Sequence, residues 1–66
     1  MFTITIETEN AAFRNPYTGE EDPYSREMEL TRIIREQILP LLENGITERG
    51  LYDLNGNRVG RMEIVK

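Results

Sequence analysis

The spacing of the apolar residues changes twice along the chain, and those changes set the order of its elements. Phe2, Ile4 and Ile6 alternate with Thr3, Thr5 and Glu7, the two-residue period of a strand with one buried face. Residues 8–22 keep no period. Asn15-Pro16-Tyr17-Thr18-Gly19 is turn chemistry, since proline presets one dihedral and glycine accepts a positive one. Glu20-Glu21-Asp22 is a short acidic run, and Phe13 is expected to pin this long irregular loop to the core. From Pro23 the spacing becomes helical. Leu30, Ile34, Ile38, Leu41 and Leu42 fall on one arc with Tyr24 and Thr31 at its edge; Glu29, Arg32, Glu36 and Glu43 lie opposite, and Glu29 can pair with Arg32.

Boundary signals frame that helix. Asp22 can cap a free N–H, and Pro23 fits the first helical position because its missing N–H would have no partner there. Asn44-Gly45 is a stop signal. Pro40 lies inside, where it removes a hydrogen bond and sets its ring against the Glu36 carbonyl, a cost of ~3 kcal/mol. Because the apolar pattern continues through Leu41 and Leu42, the expectation is a kink near Pro40; a helix ending at Leu39 is the alternative.

Beyond the helix, Asn55-Gly56 between Leu51-Tyr52 and Arg58-Val59 marks a hairpin. A two-residue turn there sets Asp53 opposite Arg58. Val59 and Met62 have opposite parity, so both reach the core only if the strand bulges, and Gly60 is the natural place. The expected fold is therefore α+β. It is a β-α-β-β two-layer domain over residues 1–66, with a three-stranded, mostly antiparallel sheet packed on one helix from Pro23 to Asn44. Strand 1 should pair antiparallel with strand 3, which puts strand 3 in the centre. On this reading Ile34→Ala or Ile38→Ala costs ~2–5 kcal/mol.

Such a fold has little to hold it. A chain of 66 residues buries only about 60% of the surface it exposes when unfolded, and its net stability is roughly 3–5 kcal/mol without a staple. There is no cysteine and no histidine, so disulfides and thiolate metal sites are excluded and the commonest metal ligand and acid–base catalyst is absent. A partner, protein or second copy, is the remaining staple.

The same inventory limits chemistry. No nucleophile with a base, no G-x-S-x-G and no glycine-rich phosphate loop occurs, and Glu20, Glu21 and Asp22 stand in a polar loop with nothing to separate their pKa values. No enzyme and no cofactor is expected. Asp53-Leu54-Asn55-Gly56-Asn57 resembles the start of an EF-hand loop, but Arg58 and Ile64 stand where glycine and glutamate are needed. Arg49, Arg58, Arg61 and Lys66 with Tyr52 could face nucleic acid; Asp53 and Glu63 interrupt that face, and the net charge of -4 disfavours it. No apolar run is long enough to span a membrane, and the N-terminus lacks the basic start of a signal peptide; a cytoplasmic location in a bacterial host is expected.

Three segments together carry a resemblance. They are Ile4-Thr5-Ile6-Glu7-Thr8-Glu9-Asn10-Ala11-Ala12-Phe13, Leu30-Thr31-Arg32-Ile33-Ile34-Arg35 running to Leu42-Glu43-Asn44-Gly45, and Leu51-Tyr52-Asp53-Leu54-Asn55-Gly56-Asn57-Arg58-Val59-Gly60. The combination resembles short proteins of no assigned function carried by bacteriophages, prophages and mobile elements. Pro40 departs from the uninterrupted helix of that group. The resemblance implies an origin and supplies no catalytic residues.

Met28, Ile33 and Leu39 fall outside the main apolar arc and form the candidate partner surface. Two roles are consistent with these features. One is a binding module docking on a host or phage-encoded protein. The other is a self-associating structural homodimer, joined through the free edge of strand 1 or strand 2 or through Ile33 and its neighbours.

Overall fold

The computed structural model describes residues 1–65. Strand β1 (Phe2–Ile6) pairs antiparallel with β3 (Arg58–Ile64), and β3 pairs antiparallel with β2 (Glu48–Tyr52), giving the sheet order β1-β3-β2. One continuous helix, α1, covers residues 23–43. The expected α+β arrangement and the central position of strand 3 are both present.

The boundaries of α1 follow the expected chemistry. Asp22 caps it, accepting from Tyr24 N–H at 3.2 Å and from the Ser25 hydroxyl at 2.8 Å, with Pro23 at the first helical position. At the far end Gly45 takes φ 71°. Ile46 N–H then reaches the Leu41 carbonyl at 2.9 Å and Gly45 N–H the Leu42 carbonyl at 3.1 Å, a Schellman close that satisfies two orphan carbonyls.

The helix runs through Pro40, and its irregularity lies just before the proline. Residues Ile34–Ile38 form a π-helical turn, in which Leu39 N–H bonds the Ile34 carbonyl five residues back. Widening the turn ahead of a proline relieves the ring's conflict with the preceding carbonyls. The extra residue also changes the phase of the helix. The core stripe is Leu30, Ile33, Ile38 and Leu41, with a step of five across the π turn. Ile33 is fully buried, whereas Ile34 is 45% and Leu42 37% exposed. The arc expected from a pure α-helix is thus wrong at Ile34 and Leu42, and the cost expected for Ile34→Ala passes to Ile33. Glu29 also departs from the expected solvent face, being buried at 6% exposure.

The core consists of Phe13, Ile33, Ile38, Leu51, Val59 and Met62. Phe13 ends a 3-10 turn at Ala11–Phe13 and, at 1% exposure, pins the loop to the core as expected. The rest of the loop is ordered by local bonds: Arg14 bridges Glu21 as an isolated antiparallel pair, and Asn15 Oδ1 accepts from Tyr17 and Thr18 N–H.

Val59 and Met62 are both buried because β3 bulges. Leu51 stands opposite Gly60 and Tyr52 opposite Arg58, leaving Val59 as the extra residue. The expected bulge is therefore present, at the residue before Gly60. The hairpin turn is one residue longer than the Asn55-Gly56 signal suggests. Gly56 N–H bonds the Asp53 carbonyl at 3.0 Å, and Asp53 N–H bonds the Asn57 carbonyl at 2.9 Å, with Gly56 at φ 83°. This is a three-residue loop with a glycine bulge. Asp53 consequently does not face Arg58; its side chain turns inward and caps the loop.

Candidate functional site

Among the described residues two polar side chains, Asp53 and Glu29, are buried, and both brace the hairpin. Asp53 Oδ1 accepts from Asn55 N–H and Asn57 N–H, each at 2.9 Å, and Oδ2 accepts from Asn10 Nδ2 at 3.1 Å. Burial pushes its carboxyl pKa up, but the bonds from Asn57, Asn10 and Asn55 outweigh that effect and hold it below the ordinary aspartate value. Glu29 accepts from Arg32 Nε at 2.6 Å and from Leu54 N–H at 2.7 Å. Arg32 also reaches Glu36 at 2.8 Å. The hydrogen bond to Glu29 raises the guanidinium pKa, and although burial opposes the change, Glu36 adds to it. Each carboxylate oxygen accepts from a structural donor, so the pair ties loop, helix and hairpin together. No cluster of acidic or other ligating residues able to hold a metal occurs among the described residues.

This arrangement has a pH signature. A carboxyl with a depressed native pKa contributes stability that is complete above its unfolded value, near pH ~3.9, and is lost as the pH falls through the lower native value. Thermal unfolding followed down a pH series should therefore show a steeper acid loss for the wild type than for Asp53→Asn, which starts less stable at neutral pH. Equal slopes would mean that Asp53 gains nothing from its donors.

The apolar surface is distributed differently from the sequence expectation. Met28 and Leu39 are exposed, at 54% and 46%, but Ile33 is fully buried and belongs to the core. The π turn brings it there, so the three residues form no common surface. Met28 lines an open groove of about 840 Å³ with Tyr24, Arg35 and Leu54, and Leu39 lies outside it. The cations expected on the hairpin are also divided. Arg61 is paired with Glu48 and Glu63 on the outer face of the sheet, beside Thr3 and Thr5. Arg49 stands in register with Met62 on the other face. Lys66 lies outside the described residues.

Further exposed apolar surface, on a strand that was expected to be covered, lies on β1. Phe2 and Ile4, expected to be buried, are 47% and 40% exposed; Ile64, directly opposite Phe2, is 37% exposed. These residues share the sheet face of buried Met62, which stands opposite Ile4. The helix covers the β2–β3 side and leaves the β1 corner bare. The molecule measures 42 × 18 × 16 Å, too slender for one helix to screen every apolar position. The signal available in the sequence was the strand itself: Phe2-Thr3-Ile4-Thr5-Ile6 carries no charge and no proline.

The backbone of β1 is equally open. Val65 N–H donates to the Met1 carbonyl and Glu7 N–H to the Val59 carbonyl, both at 2.8 Å. With Phe2 opposite Ile64, the odd-numbered residues turn their backbone groups toward β3. Phe2, Ile4 and Ile6 therefore turn N–H and C=O outward. Among the described residues no hydrogen bond reaches them. The opposite edge is treated differently. Gln37 grips the Tyr52 backbone in both directions, donating to its carbonyl at 2.6 Å and accepting from its N–H at 2.9 Å. Glu48 and Arg49 add charge to that strand, and charged residues discourage edge pairing.

No protein-family profile, curated protein or solved structure matches the chain. No helix among the described residues is long and apolar enough to cross a membrane.

Proposed function

We propose that the protein is a non-catalytic interaction module whose binding element is the open edge of β1 with its bare apolar corner. The observation that carries this reading is the coincidence, on one strand, of outward backbone groups and exposed Phe2 and Ile4. An extended segment laid along such an edge gains main-chain hydrogen bonds and can place alternate side chains beside the corner, the geometry of strand addition. The occupied buried carboxylates support a role without catalysis. The resemblance of the three sequence segments supports an origin among phage or mobile-element accessory proteins working inside a bacterial host.

Strand addition is tested with a solubilised, lysine-flanked peptide carrying the β1 sequence, titrated into the intact protein and followed by amide NMR. The expected result is saturable shifts at Phe2, Ile4 and Ile6, with Gly50 and Tyr52 on the far edge unmoved. A peptide methylated on alternate backbone nitrogens should not compete. Absence of any β1 response would overturn the reading.

A further inference from the structure

Resting on β1 as the binding element, we infer that its occupant is a second copy of the same strand, paired antiparallel about a two-fold axis at Ile4. The argument begins with the donors. The outward groups of each chain belong to Phe2, Ile4 and Ile6. A two-fold at Ile4 sets Ile4 against its own copy and Phe2 against the second copy's Ile6. In an antiparallel ladder each such pair exchanges both N–H···O bonds. The three pairs then use every outward donor and acceptor on both strands. Shifting the register by two residues leaves part of them unpaired, and shifting it by one moves the apolar side chains to the opposite face.

The side chains agree with that register. Residues directly opposite one another in an antiparallel pair lie on the same face, so the bare corners of the two copies meet. Phe2, Ile4 and Ile6 from each chain form one continuous apolar row, with Thr3 facing the second copy's Thr5 on the outside. The two helices then lie on the same side of a six-stranded sheet. Such an interface is isologous and closes at two subunits.

Charge selects this edge as well. A chain with net charge -4 repels its copies at most surfaces. β2 carries Glu48 and Arg49, and β3 carries Arg58, Arg61 and Glu63, while β1 has no ionisable side chain. On the outer face the antiparallel rows align Arg61 of one copy with Glu63 of the other across the two threonines, so unlike charges flank the join. Of the routes to self-association, Ile33 is buried in the core and the β2 edge is gripped by Gln37. The β1 edge remains.

The protein contains no cysteine, so a single introduced thiol reports the register without interference. Antiparallel residues that exchange both hydrogen bonds lie about 5.5 Å apart at Cα, within disulfide reach. Under mild oxidation Ile4→Cys should convert to a covalent dimer, while Thr3→Cys, whose counterpart is displaced along the strand, should not. In sedimentation equilibrium the wild-type chain should show twice the monomer mass as concentration rises. Ile4→Lys, with its circular dichroism unchanged, should stay a monomer throughout. A wild-type monomer at the highest soluble concentration would overturn the inference. A dimer that crosslinks through Thr3→Cys and not Ile4→Cys would overturn it equally. If the β1 peptide binds but the chain remains monomeric, the edge is a strand acceptor for a different protein and only the two-fold pairing fails.

Discussion

Replacing Ile33 by alanine is expected to destabilise the domain by about 2–5 kcal/mol, whereas the neighbouring Ile34→Ala should cost about 1 kcal/mol, in proportion to its smaller buried area. Ile33 is fully buried among the core residues and Ile34 is 45% exposed. A domain of this size holds roughly 3–5 kcal/mol in total, so Ile33→Ala should leave much of the population unfolded at room temperature. Urea unfolding monitored by far-ultraviolet circular dichroism measures both effects. The contrast between the two variants reads the phase of the helix directly. An uninterrupted α-helix would place Ile34 inward, one turn from both Leu30 and Ile38, and the costs would be reversed. A larger loss for Ile34→Ala would therefore exclude the π turn at Ile34–Ile38.

That contrast also shows where the fold was legible in the sequence. The strand at residues 2–6, the Asp22-Pro23 start and the Asn44-Gly45 stop follow from signals acting within a few residues, and the central position of the last strand follows from element order. The two helix ends have their local bonds in the structure, and the strand is held by its pairing with β3. The bulge was also legible, because Val59 and Met62 could not both be buried without it. The helix phase was not legible. Pro40 signals a conflict, but whether the chain kinks or inserts a residue depends on which face the sheet rewards, and that is a tertiary contact. The same limit hid Glu29, whose burial depends on a Leu54 N–H twenty-five residues away.

The candidate site was half legible for a related reason. Alternation shows that Phe2, Ile4 and Ile6 share a face and says nothing of what covers it. In a larger protein a second helix would cover the β1 corner. Among the described residues the one long helix lies over β2 and β3, and the loop places Phe13 in the same core while Tyr17 stays exposed. The exposed face thus follows from where the helix and the loop lie. The exposed edge is a consequence of sheet order, since β3 is flanked on both sides and β1 on one. Both converge on a strand without the charges that protect β2.

Gly60→Ala is expected to be the most disruptive single-methyl change in the sheet, costing about 3 kcal/mol or more as overpacking against unyielding atoms. Its backbone dihedral is ordinary, so the demand for glycine is spatial. A Cβ at position 60 would overlap the Thr5 carbonyl oxygen and come within 2.8 Å of the Thr5 carbonyl carbon and 2.9 Å of the Ile6 Cα. All three are β1 backbone atoms and cannot rotate away. Gly60 follows the bulged Val59, and there β3 swings close against β1. Gly50 on β2 provides the control. A Cβ there meets only the Arg58 side chain, its Nε at 3.1 Å, and a flexible guanidinium can move aside, so Gly50→Ala should lie within about 0.5 kcal/mol of the wild type. Melting temperature separates the two variants, and amide exchange locates the damage. In Gly60→Ala, protection at Thr3 and Thr5 should be lost before protection at Leu51 and Met62. Because β1 is also the binding element, the same variant should lose the response to the β1 peptide under conditions where helix content survives. Retained β1 protection in Gly60→Ala would mean that the two strands can separate to admit a methyl group, and that the β1 edge is set by something other than this close approach.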